Sequence, residues 1–277
     1  MALAGELATA CVRQHIIRIP TLKDLIKMAE LENEMRRSDE YIEKCSAVAH
    51  IPNGWLEVTA KMQEAIVIVS GFTNEMEKEI AVNHLRRAAT IYPDEPTFQD
   101  LVHVRNNLAN IGKYKNNDIV PNLIIHELNG KQTRLYDTFA NGTNLLIASS
   151  HTWQPFRANV MLIKKIKDFF PHINITFVYI SEAHATDVWP IGLSAGVLNQ
   201  KHITIEDRAG CAQRFIKEYD FTIPTFLDSM DDTLRDELAA WPFRFYLIHK
   251  NEQEFRFAHI AMPSESEFDL SMLFDLL

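Results

Sequence analysis

Between Cys45 and Cys211 the sequence contains no cysteine, and its three cysteines, Cys11 included, form no CxxC pair and have no histidine at zinc-knuckle spacing. A disulfide framework and a zinc or other metal site are therefore not expected, and the thiols read as reduced. No stretch approaches the roughly 18 apolar residues of a membrane span; the run Ala65 to Val69 is far too short. The amino terminus, MALAGELATACVRQH, has Glu6 inside its mildly apolar run and no leading basic cluster, which argues against a signal peptide. Lysine and arginine are scattered and the formal net charge is -9, so neither a nucleic-acid footprint nor a surface for anionic membranes is expected. Phosphate loop, GxGxxG fingerprint, internal repeat and low-complexity tract are all missing, and no cofactor is expected. The expectation is a cytoplasmic protein without a membrane anchor.

What is present divides in two. With 277 residues and 47% hydrophobic content the chain can build about two domains. Residues 1–115 read as an all-α domain of four or five helices. Thr21 caps a first helix with Leu22, Leu25, Ile26 and Ala29 on one face, Asn74 with Glu77 reads as a capping box, and a last helix through Phe98, Leu101, Val102 and Leu108 stops at Gly112. Residues 116–277 change period. Leu123–Leu128, Asn129-Gly130 and Lys131–Tyr136 predict a hairpin with a tight primed turn. Apolar strands then alternate with helices: strand 144–148, helix 155–169, strand 173–180, helix 203–219, strand 225–227, helix 232–240. Strands 244–249 and 254–257 and a helix over 265–276 close the chain. The fold class is α/β, a thioredoxin-like carboxyl-terminal domain preceded by the helical one.

Four segments of the second half carry more than pattern. They are SSHTWQPFR at 149–157, FVYISEAHATDVW at 177–189, KHITIEDR at 201–208 and IPTFLDSM at 223–230, followed by FRFYLI at 243–248. From Pro121 to Leu277 they resemble the iodothyronine deiodinases, thioredoxin-fold selenoenzymes that remove iodine reductively from thyroid hormones. The family's Ser-Cys-Thr-Sec-Pro-Pro-Phe motif aligns with Ser150-His151-Thr152-Trp153-Gln154-Pro155-Phe156, so Trp153 takes the selenocysteine position and His151 the cysteine position. The resemblance implies a proton-relay set at Ser150, Tyr179, Glu182 and His184, a hormone-contacting histidine at His202, and substrate-binding positions at Thr152, His202, Arg208 and Pro224. Pro224 resembles the cis-proline that faces the redox loop. The family's GxGP turn is replaced by Ala258-His259-Ile260-Ala261-Met262-Pro263, and the membrane anchor of its animal members is not seen.

Tryptophan at that corner changes the chemistry. Reductive deiodination needs a soft, ionised chalcogen to accept the iodine, favoured by a helix amino terminus. Indole offers one N–H donor and a π face. Trp153 is then either a plug in the vacated space or an anchor for a ligand or partner. Cys211 reads as a core position of its helix, with a displaced redox thiol as the alternative. Asp228, Asp231 and Asp232 read as a solvated helix cap, since EF-hand spacing is missing.

Two functional readings stay open. One is a pseudoenzyme that binds a small aromatic or halogenated ligand or a protein partner. The other is a deiodinase-like oxidoreductase that works through another residue or an external thiol. A third places the function in the helical half, which also offers a surface for a homodimer.

Overall fold

The structure, a computed structural model, describes residues 17–251, 254–261 and 273–276. Cys11, the amino-terminal stretch weighed above as a signal peptide, and most of the expected final helix lie outside them; Leu273–Leu276 is helical. Among the described residues no helix is long and apolar enough to cross a membrane.

Six helices come first: α1 (Leu22–Met35), α2 (Asp39–Ala47), α3 (Gly54–Val69), α4 (Glu75–Ile91), and two single turns, α5 (Pro96–Gln99) and α6 (Val102–Arg105). Thr21 caps α1 as expected: its Oγ1 accepts from the Asp24 N–H while Asp24 Oδ2 accepts from the Thr21 N–H. Asn74 caps α4, but no capping box closes, because Glu77 Oε1 takes the Arg18 N–H instead. The expected helix over 98–108 breaks into α5 and α6, and the Asn106 side chain bonds the Val102 carbonyl where further backbone turns would have done so.

The chain forms two compact units. One joins Thr59–Leu101 to the described residues up to Asn33, and the other joins Glu34–Val58 to Val102–Leu277. These differ from a division at 115/116, because α2 belongs with the sheet. In the first unit Leu25, Met28 and Ala29 of α1 are buried, as are Ile66, Ala81 and Leu85. Buried Glu32 accepts from Gln63 at 2.9 Å.

The second unit is built on a seven-stranded sheet: β1 (Ile124–His126), β2 (Gln132–Arg134), β3 (Thr143–Ser149), β4 (Asn174–Tyr179), β5 (Thr225–Leu227), β6 (Phe243–Asn251) and β7 (Glu254–Ile260), in the order β2-β1-β5-β4-β3-β6-β7. The β1–β2 hairpin forms, with a different turn from the one expected. Of its loop residues only Gly130 has positive φ, +83°, and its N–H bonds the Glu127 carbonyl. This is a turn over Leu128-Asn129 followed by a left-handed glycine, the bulged alternative to a two-residue primed turn.

Strand β3 is parallel to β4 and antiparallel to β6, and from Asn144 to Ser149 every residue is buried. Burial on both faces explains its continuous apolar run. Helices α7 (Gln154–Phe169) and α8 (Ile205–Tyr219) bring Phe156 and Phe215 onto Phe177 of β4, with ring centroids 4.9 and 5.8 Å away. Helix α8 begins two residues later than expected, because Thr204 and Asp207 close a capping box ahead of it. The last helix before β6, α9 (Thr233–Glu237), is shorter than 232–240: Asp232 and Ala239 both adopt left-handed φ, 53° and 52°, and bound it. Two of its first-turn N–H groups, those of Leu234 and Arg235, donate to the Asp228 carboxylate. That carboxylate is fully buried, not solvated, and burial raises its pKa.

A 3-10 turn at Gly192–Ala195 carries the contact with α2. The Ser46 hydroxyl accepts from the Leu193 N–H and Ser194 donates to the Cys45 carbonyl. A Cβ on Gly192, at φ +54°, would lie 2.0 Å from Ser46 Oγ and 2.5 Å from the Ile42 carbonyl oxygen. Gly142 has φ +96° with nothing within 4 Å. Gly192→Ala is therefore expected to lower the urea midpoint well beyond Gly142→Ala, which carries only the backbone strain of about 1 kcal/mol. Equal losses in the two variants would show that the close approach of α2 contributes nothing.

Candidate functional site

The corner between β3 and α7 is held from behind by its own neighbours. Ser149 donates to the Pro242 carbonyl at 2.9 Å. Ser150 Oγ accepts from the Ala183 N–H, and the Tyr179 hydroxyl accepts from the His151 N–H at 3.1 Å. Thr152 donates twice to Glu182 Oε2, from its N–H at 3.1 Å and its hydroxyl at 2.8 Å, and that hydroxyl accepts from the His184 N–H. Residues 149–152 are buried completely. His151 packs edge-on against Phe215 and Tyr219 with Nε2 3.4 Å from Glu218, and burial lowers its pKa.

Trp153 turns its half-buried indole onto the His184 ring, stacked at 5.8 Å and 17°, and meets Trp241 at 6.3 Å. Trp55, at the start of α3, approaches the same imidazole edge-on at 5.3 Å, and Trp189 does so at 4.8 Å. His184 Nδ1 lies 3.3 Å from the Trp189 carbonyl. A carbonyl only accepts, so Nδ1 bears the proton and Nε2 is a lone pair, buried without a partner. Burial outweighs the carbonyl bond and holds the pKa down at about 4. The imidazole is neutral.

Glu182 is the hub. Besides Thr152 it accepts from the Tyr179 hydroxyl at 2.5 Å and from Asn199 Nδ2 at 2.7 Å. Burial pushes its pKa up, but His202, Tyr179 and Thr152 together prevail and hold the carboxyl below its ordinary value. His202 Nε2 is 3.4 Å from Glu182 Oε1, too poorly aligned to count as a hydrogen bond. Its Nδ1 accepts from Arg208 Nε at 3.2 Å, which places the proton on Nε2. Arg208 also bonds the Asp228 and Ser229 carbonyls and Asp232.

Among the described residues, Glu182, His202 and Cys211 bring ligand-type atoms within 4.8 Å of one another. They fit a metal poorly. The Nε2 proton blocks the imidazole, and Cys211 accepts from Arg214 at 2.9 Å while burial and Glu182 push its thiol up to about 11. Cys211 is a buried, protonated thiol, which agrees with its reading as a core position.

A cleft of about 300 Å³ opens beside this network, and Ser181, Glu182, His202 and Arg208 line it. Ser150, Thr152, Tyr179 and His184 stand behind its wall, not on it. Pro224 is exposed, and the bond before it is not cis; among the described residues the one cis peptide is Trp241–Pro242. The reason is topological. Strand β6 runs antiparallel to β3 and starts at Phe243 opposite Ser149, so the proline before it reaches the corner; β5 is parallel to β4, and Pro224 enters it from the far end. Sequence reasoning also missed Asn199, Trp55 and Trp241. Only Trp241-Pro242, directly before an apolar strand, carried a local signal.

A parallel β3–α7–β4 unit, closed by antiparallel β6–β7 and carrying its cis-proline opposite the β3–α7 corner, defines a thioredoxin-like fold. The thioredoxin domain of a thiol-disulfide oxidoreductase from Bacteroides vulgatus is similar at 13% identity over 58% of this chain and 99% of that one, with a TM-score of 0.38. Residues 6–259 match the family model for iodothyronine deiodinase, and the chain belongs to that family. The match includes the helical segment, beyond the span the motifs covered. A type I iodothyronine deiodinase of Xenopus laevis is 30% identical over 135 residues, 48% of this chain and 52% of that protein. A thyroxine 5-deiodinase of Gallus gallus is 32% identical over 136 residues, with the same shares. The chain spans about half the length of the curated relatives it matches.

His184 makes one prediction. Its pKa is about 4 when folded and 6.5 when unfolded, so the unfolded chain binds more protons between those values. The neutral imidazole stabilises fully above the unfolded value, and the contribution falls by about 3 kcal/mol as pH drops to the folded one. His184→Asn, which keeps a donor for the Trp189 carbonyl, is expected to flatten the pH dependence of the urea midpoint across that window. Parallel curves for the two proteins would refute it.

Proposed function

We propose that this protein is a deiodinase-family member without the family's redox chemistry, acting as a binder of phenolic ligands at the retained cleft. The observation that carries the reading is the contrast at the corner. The position aligned with selenocysteine holds an indole stacked on His184, whereas the Glu182 network behind it keeps its hydrogen bonds. An indole has no soft anion with which to accept iodine, and Cys211, whose sulfur lies within 4.8 Å of Glu182 and His202, is buried and protonated. Trp153 acts as a plug: it packs on His184 and Trp241 and lies outside the lining of the cleft.

Iodide release from one-ring and two-ring iodinated phenols, with excess small thiol, tests this. Wild type and Trp153→Ala are expected to stay silent, and Trp153→Cys to release iodide, because a thiol then stands at the amino terminus of α7 beside an intact network. Turnover by the wild type would overturn the non-enzymatic reading, and silence from all three would count against a retained substrate cleft.

A further inference from the structure

We infer that residues 1–16 of this chain dock into the groove between α3 and α4 of the first unit and cover it. The groove encloses about 610 Å³ and is lined by Ala60 and Glu64 of α3 and by Met76, Glu79, Val82 and Asn83 of α4. Its apolar floor is open at one end, where Met76 is 54% exposed. Its cations are already engaged: Lys78 pairs with Glu75 at 2.7 Å, and Arg86 donates to Gln63 at 2.7 Å. Glu64 and Glu79 make no ion pair or hydrogen bond among the described residues. The groove therefore offers an apolar strip with a carboxylate rim, which suits an amphipathic segment carrying positive charge.

The place where the described chain begins selects the occupant. Arg18 is fixed to the start of α4: its N–H donates to Glu77 Oε1 at 2.9 Å, and its guanidinium lies 4.2 Å from the ring centroid of buried Phe72. Glu77 stands between Met76 and Lys78, which both line the groove, so the sixteen residues before Ile17 set out from its rim. Their pattern fits it. Leu3, Leu7, Ala10 and Cys11 recur at i, i+4, i+7 and i+8, the spacing that gathers side chains on one helical face, whereas Glu6, Thr9 and Arg13 fall on another. As a helix the sixteen residues would span about 24 Å, against about 26 Å for the 17 residues of α4. Arg13, about 7.5 Å before Arg18 on that spacing, supplies the cation that Glu79 lacks. With the segment seated, the groove is closed to any other partner until it is displaced.

A photo-crosslink in the full chain tests the proposal. With Met76→p-benzoylphenylalanine, a change at an exposed position, irradiation should join the groove to residues 1–16 of the same molecule, located by mass spectrometry of the digest. Adding Leu7→Glu should lower the yield about tenfold, the effect of losing one buried leucine. Adding Leu7→Met, which keeps the apolar contact, should preserve it. An adduct whose yield ignores Leu7→Glu reflects a tether that is merely close, and overturns the docking. An adduct that joins two copies of the chain overturns it as well, because the groove is then an interface between copies, and so does the absence of any adduct.

Discussion

The buried carboxylate of Glu182 is the constraint on which the second unit's working end depends. It receives four hydrogen bonds, two from Thr152 in the β3–α7 corner, one from Tyr179 at the end of β4 and one from Asn199 in the loop leading to α8. An ionised group out of water costs several kcal/mol unless its lone pairs are engaged. Three separate segments must therefore converge on it, and once they have, the corner can hardly shift alone. The charge does not need a chalcogen nearby to be stable, which explains how the network can coexist with an indole at the aligned position.

The segment from α2 to the start of α3 serves the same end of the sheet. Ser46 and Cys45 bind the turn at Gly192–Ala195, the Asn53 N–H donates to Gln154 at 2.8 Å, and Trp55 meets His184. Arg157 reinforces this from α7, donating to the His151, Ser194 and Ala195 carbonyls. Helices that precede the sheet in sequence thus help to shape its loops.

Much of this was legible beforehand. The hairpin at Asn129-Gly130, the β3–α7–β4 alternation and the residues of EAHATDVW are local signals, set by period and turn chemistry over a few residues. What escaped depends on distant partners. Glu77 was available for a capping box, but Arg18 claimed it; Pro224 and Pro242 both precede apolar strands, and only the direction of β6 against β3 selects the second. Asp228 looked like a solvated cap because nothing nearby in sequence reveals that Arg208 and α9 enclose it. Expected roles for Glu182 and His202 came from motif resemblance, whereas the partners that hold them, Asn199 and Arg208, are seen only in the folded chain.

The sequence has four tryptophans, and all four fall in one connected group: Trp55 lies 6.3 Å from Trp189, Trp189 lies 6.5 Å from Trp241, and Trp241 lies 6.3 Å from Trp153. Three of them, Trp55, Trp153 and Trp189, pack against the one imidazole of His184. The tryptophan part of the protein's absorption and emission accordingly originates at one place, with energy passing readily between rings at such separations. Light absorbed anywhere in the tryptophan set reports on the β3–α7 corner, making the chain its own optical probe of that corner.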